Sequence, residues 1–227
     1  MSKLLIGWAS RDISTQKPVN LPGQFHMRIS QGILDELTLT TLVVDNGEDL
    51  VAFLSMDLVV IRSGLLDDIR DKVQALKPDF PVLKILANAT HTHAGASHYA
   101  DKHSAWSSAS STAPLQAVPH DGLEIASGDE YRDFLSTQAA EAICQAYEER
   151  KPGGLAYGYG YAVVAHSRRV VYFDDTSKRV AESASGFRVN GKAQMYGNTK
   201  DDKFSHYEAG ADHFVNLLFT FDEKKKL

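Results

Sequence analysis

The sequence predicts an α/β protein: a mixed β-sheet with a parallel β-α-β unit and helices packed on the sheet. Three observations carry that reading. Thr38 to Val44 alternates threonine with leucine and valine, and after Asn46-Gly47 the apolar pattern resumes from Leu50 to Leu54. Strict alternation is the mark of a half-buried strand, and Asn-Gly between two such runs marks a hairpin. Ser63 to Leu76 then places Leu66, Ile69, Val73 and Leu76 on one helical face, before an apolar run from Val82 to Ala87 that reads as a buried strand. Strand, helix and strand over 50–88 make a crossover, and such crossovers join parallel strands.

The remaining elements follow in order. Leu4 to Trp8 reads as a first strand leading into Arg11-Asp-Ile-Ser14, where Asp12 suits local backbone donors. Residues 14–32, rich in Pro, Gly and Gln, read as an ordered loop without periodicity. Ser63 is placed to cap its helix, Asp67 and Asp68 suit its first turns, and Pro78 stops it. Residues 100–127 are poor in apolar groups and form a long loop. Ser127-Gly-Asp-Glu130 has capping-box form and starts a helix running to about Arg150, which Pro152-Gly153-Gly154 ends. Leu155 to Val164 alternates Tyr and Gly with small apolar residues as a strand, 174–212 is polar and irregular, and Phe214 to Phe221 is a last strand.

Composition narrows the function classes. With 227 residues, 43% of them hydrophobic, residues 1–227 suit a single domain. A net charge of -5 offers no nucleic-acid footprint, and Lys224-Lys225-Lys226 reads as a solvated turn. The lone Cys144 excludes an internal disulfide and a multi-cysteine zinc site, and it falls on an apolar helix face. No apolar run approaches a membrane span, so no stable membrane insertion is expected. Leu4-Leu5-Ile6-Gly7 is too short for a signal-peptide core. As written the chain is expected to be cytoplasmic; a removed leader would make it secreted or periplasmic.

The chemistry concentrates at the exit of the Val82 strand, in His91-Thr92-His93. Were the backbone to stay extended there, residues two apart would point to one face, and both imidazoles would leave the strand towards one spot. Ala94-Gly95-Ala96 behind them leaves no bulk to block a ligand. Parallel strands gather their carboxyl ends on one side, where α/β proteins bind ligands. Those ends carry Asp57 and the histidine pair. His91 is a candidate metal ligand, since neutral imidazole is a good zinc donor, and His93 a second ligand or a substrate contact. Asp57 either orients an imidazole, as carboxylates do behind zinc-bound histidines, or caps backbone N–H groups before Ser63. His98 reads as a supporting or loop residue. His26, His103, His120, His166, His206 and His213 are scattered beyond ranking, and there is no H-E-x-x-H, C-x-x-C or G-x-S-x-G.

Several blocks together resemble the N-terminal catalytic domain of the neutral/alkaline non-lysosomal ceramidase family. Gly7-Trp-Ala-Ser-Arg-Asp-Ile-Ser14 resembles the opening G-x-A-D-I-T with one extra residue, Met56-Asp57-Leu58 the strand-end T-D-L, and Ala89-Thr-His-Thr-His-Ala-Gly95 the block A-T-H-T-H-S-G. Ser97-His98-Tyr99, Pro152-Gly153, Tyr157-Gly158 and Ser167-Arg168-Arg169 follow in the family's order. Ala96 replaces a proline, and Leu21-Pro-Gly-Gln-Phe25 stands where the family has M-M-G-Y.

The resemblance implies a zinc-dependent hydrolase of a linear amide, N-acyl-sphingosine giving sphingosine and fatty acid. It implies Zn2+ on His91, substrate contact at the reacting centre by His93, and an arginine lining the site, Arg169 or, with a one-residue shift, Arg168. The family's other zinc ligands (a histidine, a glutamate and a tyrosine) and its catalytic serine would lie beyond Leu227. The chain is therefore expected to be the first half of such a domain, incomplete at its C-terminus. Alone it should be a poor catalyst with weak metal affinity, prone to self-association through exposed sheet edge. The rival expectation is a ceramidase-like domain that binds a lipid or sugar-like ligand without turnover; the third is an α/β domain whose histidines are structural.

Overall fold

A computed structural model describes residues 4–23, 28–99, 122–179, 191–224 and 226. The chain divides into two compact units, Met1–Leu155 with Thr220–Leu227, and Ala156–Phe219. In the first unit, β1 (Leu5–Asp12), β2 (Thr38–Asp45) and β3 (Leu50–Met56) form an antiparallel meander. β1 runs past the expected Trp8 because it pairs with β2 along its whole length, from Leu5 opposite Asp45 to Asp12 opposite Thr38. At the β2–β3 turn Gly47 takes a φ of 85°, and the Asn46 side chain accepts from the amides of Glu48 and Asp49.

The crossover is present as expected. β3 leads through α1 (Ser63–Leu76) to β4 (Ile85–Ala89), which pairs parallel to β3 with Ala52 opposite Ile85 and Met56 opposite Ala89. The run from Val82 is less regular than predicted. Val82–Lys84 is a single 3-10 turn, and β4 is an edge strand with Leu86 half exposed. At the helix start Arg62 holds the N-cap position, and its own side chain makes no capping bond. Asp68 serves elsewhere, pairing with Arg132 (Nε to Oδ2, 2.5 Å).

α2 (Gly128–Glu148) begins as predicted, with Ser127 Oγ accepting from the Glu130 amide at 3.0 Å. The second half of the capping box does not form, because the Glu130 carboxylate pairs with Lys17 instead. Arg132 also donates to Gly64 O, so α2 holds the first turn of α1. Both helices pack on one sheet face. Leu39, Val43, Ala52, Leu54 and Ile85 meet Leu65, Ile69, Val73, Leu135, Ala139 and Ile143, all fully buried. Each large side chain so buried contributes about 1.5–3 kcal/mol. Cys144 belongs to this core and is a buried free thiol.

The strand order of the larger sheet is β4-β3-β2-β1-β5-β9, where β5 is Lys151–Tyr161 and β9 is Phe214–Asp222. Pro152-Gly153-Gly154 opens β5 rather than merely ending the helix, because Pro152 pairs opposite Leu5 and the Gly153 amide donates to Leu4 O. The second unit holds a feature absent from the expectation. β6 (Arg169–Tyr172) lies between β7 (Ala193–Met195) and β8 (Phe204–Tyr207) in a three-stranded antiparallel sheet. These strands are three and four residues long, too short to show periodicity within a polar stretch. No described helix is long and apolar enough to cross a membrane.

Candidate functional site

The carboxyl ends of β3 and β4 come together, and threonines join them. Asp57 follows β3 directly, and its carboxylate accepts from the Thr38 amide (2.8 Å), the Thr38 hydroxyl (2.9 Å) and the Thr90 hydroxyl (3.0 Å). Burial alone would raise this carboxyl's pKa, but those three donors outweigh it and hold it below the ordinary range. Of the two expected roles, Asp57 thus acts on hydroxyls and a backbone amide, though of Thr38 rather than of the loop before Ser63. It fixes the strand ends from which the histidines depart.

His91 leaves the strand geometry altogether. Its φ is 64°, one of two positive values at non-glycine residues among those described. The extended alternation expected for His91-Thr92-His93 is therefore replaced by a turn. Two contacts explain it: the His91 amide donates to Leu58 O at 3.0 Å, and ring Nδ1 lies 2.6 Å from Val59 O. A carbonyl only accepts, so Nδ1 carries a proton, and in the neutral tautomer the lone pair is then on Nε2. A left-handed conformation at a non-glycine residue costs about 1–2 kcal/mol and persists only where surroundings impose it. The imidazoles of His91 and His93 are both exposed and meet edge to face, with centroids 5.1 Å apart. Proximity of the pair, expected from strand alternation, is here the product of the turn.

Of the small residues behind the pair, Ala94 is exposed, whereas Gly95 and Ala96 serve packing. A Cβ at Gly95 would stand 2.5 Å from Asp57 O, and Gly95 and Ala96 are buried. His98, also buried, accepts from the Arg62 amide through Nε2 at 3.3 Å. It supplies an acceptor for the amide of the N-cap residue at the start of α1, one of the donors a helix leaves without an internal partner. Burial, helped by the charges of Arg62 and Arg132, pushes its pKa down to about 4, so the ring is neutral.

Two residues that the sequence did not single out touch His93. Arg28 Nη2 donates to the His93 carbonyl, and Gly23 lies against the imidazole, where a Cβ would come within 2.7 Å of ring Cγ and Nδ1. In the sequence Gly23 stood out only as part of Leu21 to Phe25, the segment that departs from M-M-G-Y, and Arg28 not at all.

Arg169 belongs to the second unit, on β6, where Nη2 donates to Glu208 Oε1 at 2.8 Å. Its neighbour Arg168 donates to the Tyr196 hydroxyl at 2.6 Å. His166, His206 and His213 are in that unit as well. His26, His103, His120 and residues 100–121 of the long loop lie outside the described residues. Among those described, no group of three or more His, Cys, Asp or Glu is placed to hold a metal ion.

A mixed sheet with helices on one face and a loop site at the carboxyl ends of its parallel pair is an α/β fold of defined topology. No sequence profile of a protein family matches this chain, and no curated protein matches it either. Solved structures do. The neutral ceramidase from Pseudomonas aeruginosa and a ceramidase complexed with C2 each superpose on 100% of this chain, with a TM-score of 0.64 and 16% sequence identity. The chain has a ceramidase-like fold and spans about 30% of the length of those structures. At that identity the likeness is one of fold.

Proposed function

We propose that this chain forms one wall of a ceramidase-like, zinc-dependent amide-hydrolase site acting on an N-acyl lipid. The observation that supports it most is the state of His91. One ring nitrogen is tied to a backbone carbonyl, the other keeps an open lone pair, and the backbone is bent into a costly conformation to hold it so. Metal-binding histidines are typically fixed in this way, by a carbonyl or carboxylate on the nitrogen that does not bind. His91 thus fits a zinc ligand, while the described residues do not complete the three or four donors a site needs, so the others come from outside them. When bound, zinc lowers the pKa of a water and polarises the amide carbonyl.

This chain's own residues do the rest. His93, beside His91, offers a ring nitrogen to the substrate at the reacting centre. Asp57 holds the strand ends together through Thr38 and Thr90, so both imidazoles start from a fixed base. Arg169, paired with Glu208 on β6, is the candidate for holding a polar substrate group.

Zinc stoichiometry of the intact protein and of His91→Ala tests the ligand assignment. The variant is expected to lose zinc; full retention overturns it. A second reading is a ceramidase-like binding domain for a lipid or sugar-like ligand without turnover. In the full-length protein, zinc that depends on His91 with no fatty acid released from N-acyl-sphingosine overturns the substrate reading and leaves the metal site standing.

A further inference from the structure

The loop before β2 is stitched to the histidine turn at several points. Leu21 donates its amide to Arg28 O at 2.8 Å and Asn20 pairs with Ile29, so the two limbs of the loop run antiparallel. The Ser97 amide donates to Asn20 O at 2.9 Å, tying the loop to the chain just after the histidines. Arg28 then reaches across. Its Nη2 donates to the His93 carbonyl and lies 3.3 Å from Pro22 O and 3.5 Å from Leu21 O, so one guanidinium end gathers both segments. Arg28 Nε is buried without a hydrogen-bond partner among the described residues.

Gly23 completes the contact. Its φ is +106°, a conformation that L side chains rarely adopt, and its missing Cβ leaves the room the imidazole fills. Two independent features, a charged donor on the His93 carbonyl and a glycine face on the His93 ring, thus fix one residue from backbone and side chain. His91 is fixed differently, by Leu58 O and Val59 O.

We propose that Arg28 and Gly23 are positioning residues for His93, holding its imidazole in one orientation for the substrate while His91 is oriented separately by the β3 exit. This rests on the reading of His93 as a substrate contact. Reactive groups must be held to within a fraction of an ångström to be useful, and a histidine in a turn has no helix or strand to do it.

Proton NMR of the full chain carrying 13C-labelled histidine tests this. In the wild type a nuclear Overhauser contact between Gly23 Hα and the His93 ring is expected; its absence overturns the proposal before any variant is made. In Arg28→Met that contact should be lost and the His93 ring signal should move towards the free-histidine position, with partial return in Arg28→Lys. The His91 ring signal should stay in place. An unchanged His93 signal in Arg28→Met, or equal displacement of His91 and His93, overturns the clamp. Should Arg28→Met fail to fold, Gly23→Ala is read in the same way. Zinc titration of the same samples separates this proposal from the functional one. Zinc retained in full by His91→Ala fells the metal reading and leaves the clamp; zinc dependent on His91 without the Gly23 contact does the reverse.

Discussion

His91 and His98 lie on one loop and are held in opposite ways. At His91 the ring is exposed, one nitrogen is anchored on Val59 O, the other is open, and the backbone takes a costly positive φ. At His98 the ring is buried, kept neutral, and its acceptor nitrogen is engaged by the Arg62 amide. The first spends stability to present a nitrogen; the second uses a nitrogen to stabilise a helix start. Identical side chains seven positions apart therefore differ in what their loss should do, and substitutions at each can break or sharpen the contrast.

The largest effect is expected at His98. His98→Ala removes a fully buried side chain and leaves the Arg62 amide without its acceptor. Cavity formation and the lost bond together predict about 3–4 kcal/mol of destabilisation by urea unfolding. His91→Ala should cost far less, since an exposed ring leaves no cavity. Equal costs at the two positions would end the distinction.

Acid should reveal the same asymmetry. The folded pKa of His98 is about 4, below the ordinary 6.5, so between these values the unfolded chain binds more protons than the folded one. Stability is then complete above about pH 6.5 and is lost as pH falls towards 4. Full linkage across that window is roughly 3 kcal/mol. Urea midpoints at pH 7 and 4.5 measure it, and His98→Asn should flatten the profile. A wild-type midpoint that holds steady over this range would mean that the buried ring is not neutral. Asp57 acts lower: its carboxyl is held below the usual range, so its contribution is present above the ordinary carboxylate pKa and lost only in stronger acid.

The same contrast shows what the sequence could carry. Periodicity placed α1, the β2–β3 hairpin and the parallel β3–β4 pair, because each spans enough residues to repeat its pattern, and it brought Asp57 and the His91 turn to one side. It failed where a single residue decides. Nothing in His91-Thr92-His93 announces a positive φ, which two carbonyls distant in sequence, Leu58 O and Val59 O, impose. Glu130 looked ready to close a capping box until Lys17, far along the chain, claimed it. Arg28 was invisible for the same reason, since its partner is the backbone of His93 and not a residue type. Short polar strands such as β7 and β8 had no pattern to read.

A smaller effect is expected at Asp57, which supports the turn from below. Asp57→Asn keeps one carbonyl oxygen for the Thr38 amide and hydroxyl and turns an NH2 towards the Thr90 hydroxyl, which can accept in its turn. The bonds become neutral ones, at about 1 kcal/mol, with solvent access limiting the loss. Zinc affinity should fall modestly if the strand ends position His91. Unchanged stability together with unchanged zinc binding would remove Asp57 from the site.

The smallest effect isolates the backbone at His91. His91→Ala and His91→Gly delete the same ring and the same bond to Val59 O, so their difference reports the φ of 64° alone. Glycine adopts this conformation freely but loses more chain entropy on folding, so His91→Gly should be the more stable by about 1 kcal/mol or somewhat less. Both variants should bind zinc equally poorly. Paired urea curves measure the difference. If alanine proves as stable as glycine, the turn relaxes once the ring is gone, and the strain belongs to the imidazole's hold on Val59 O rather than to the chain path between β4 and Gly95.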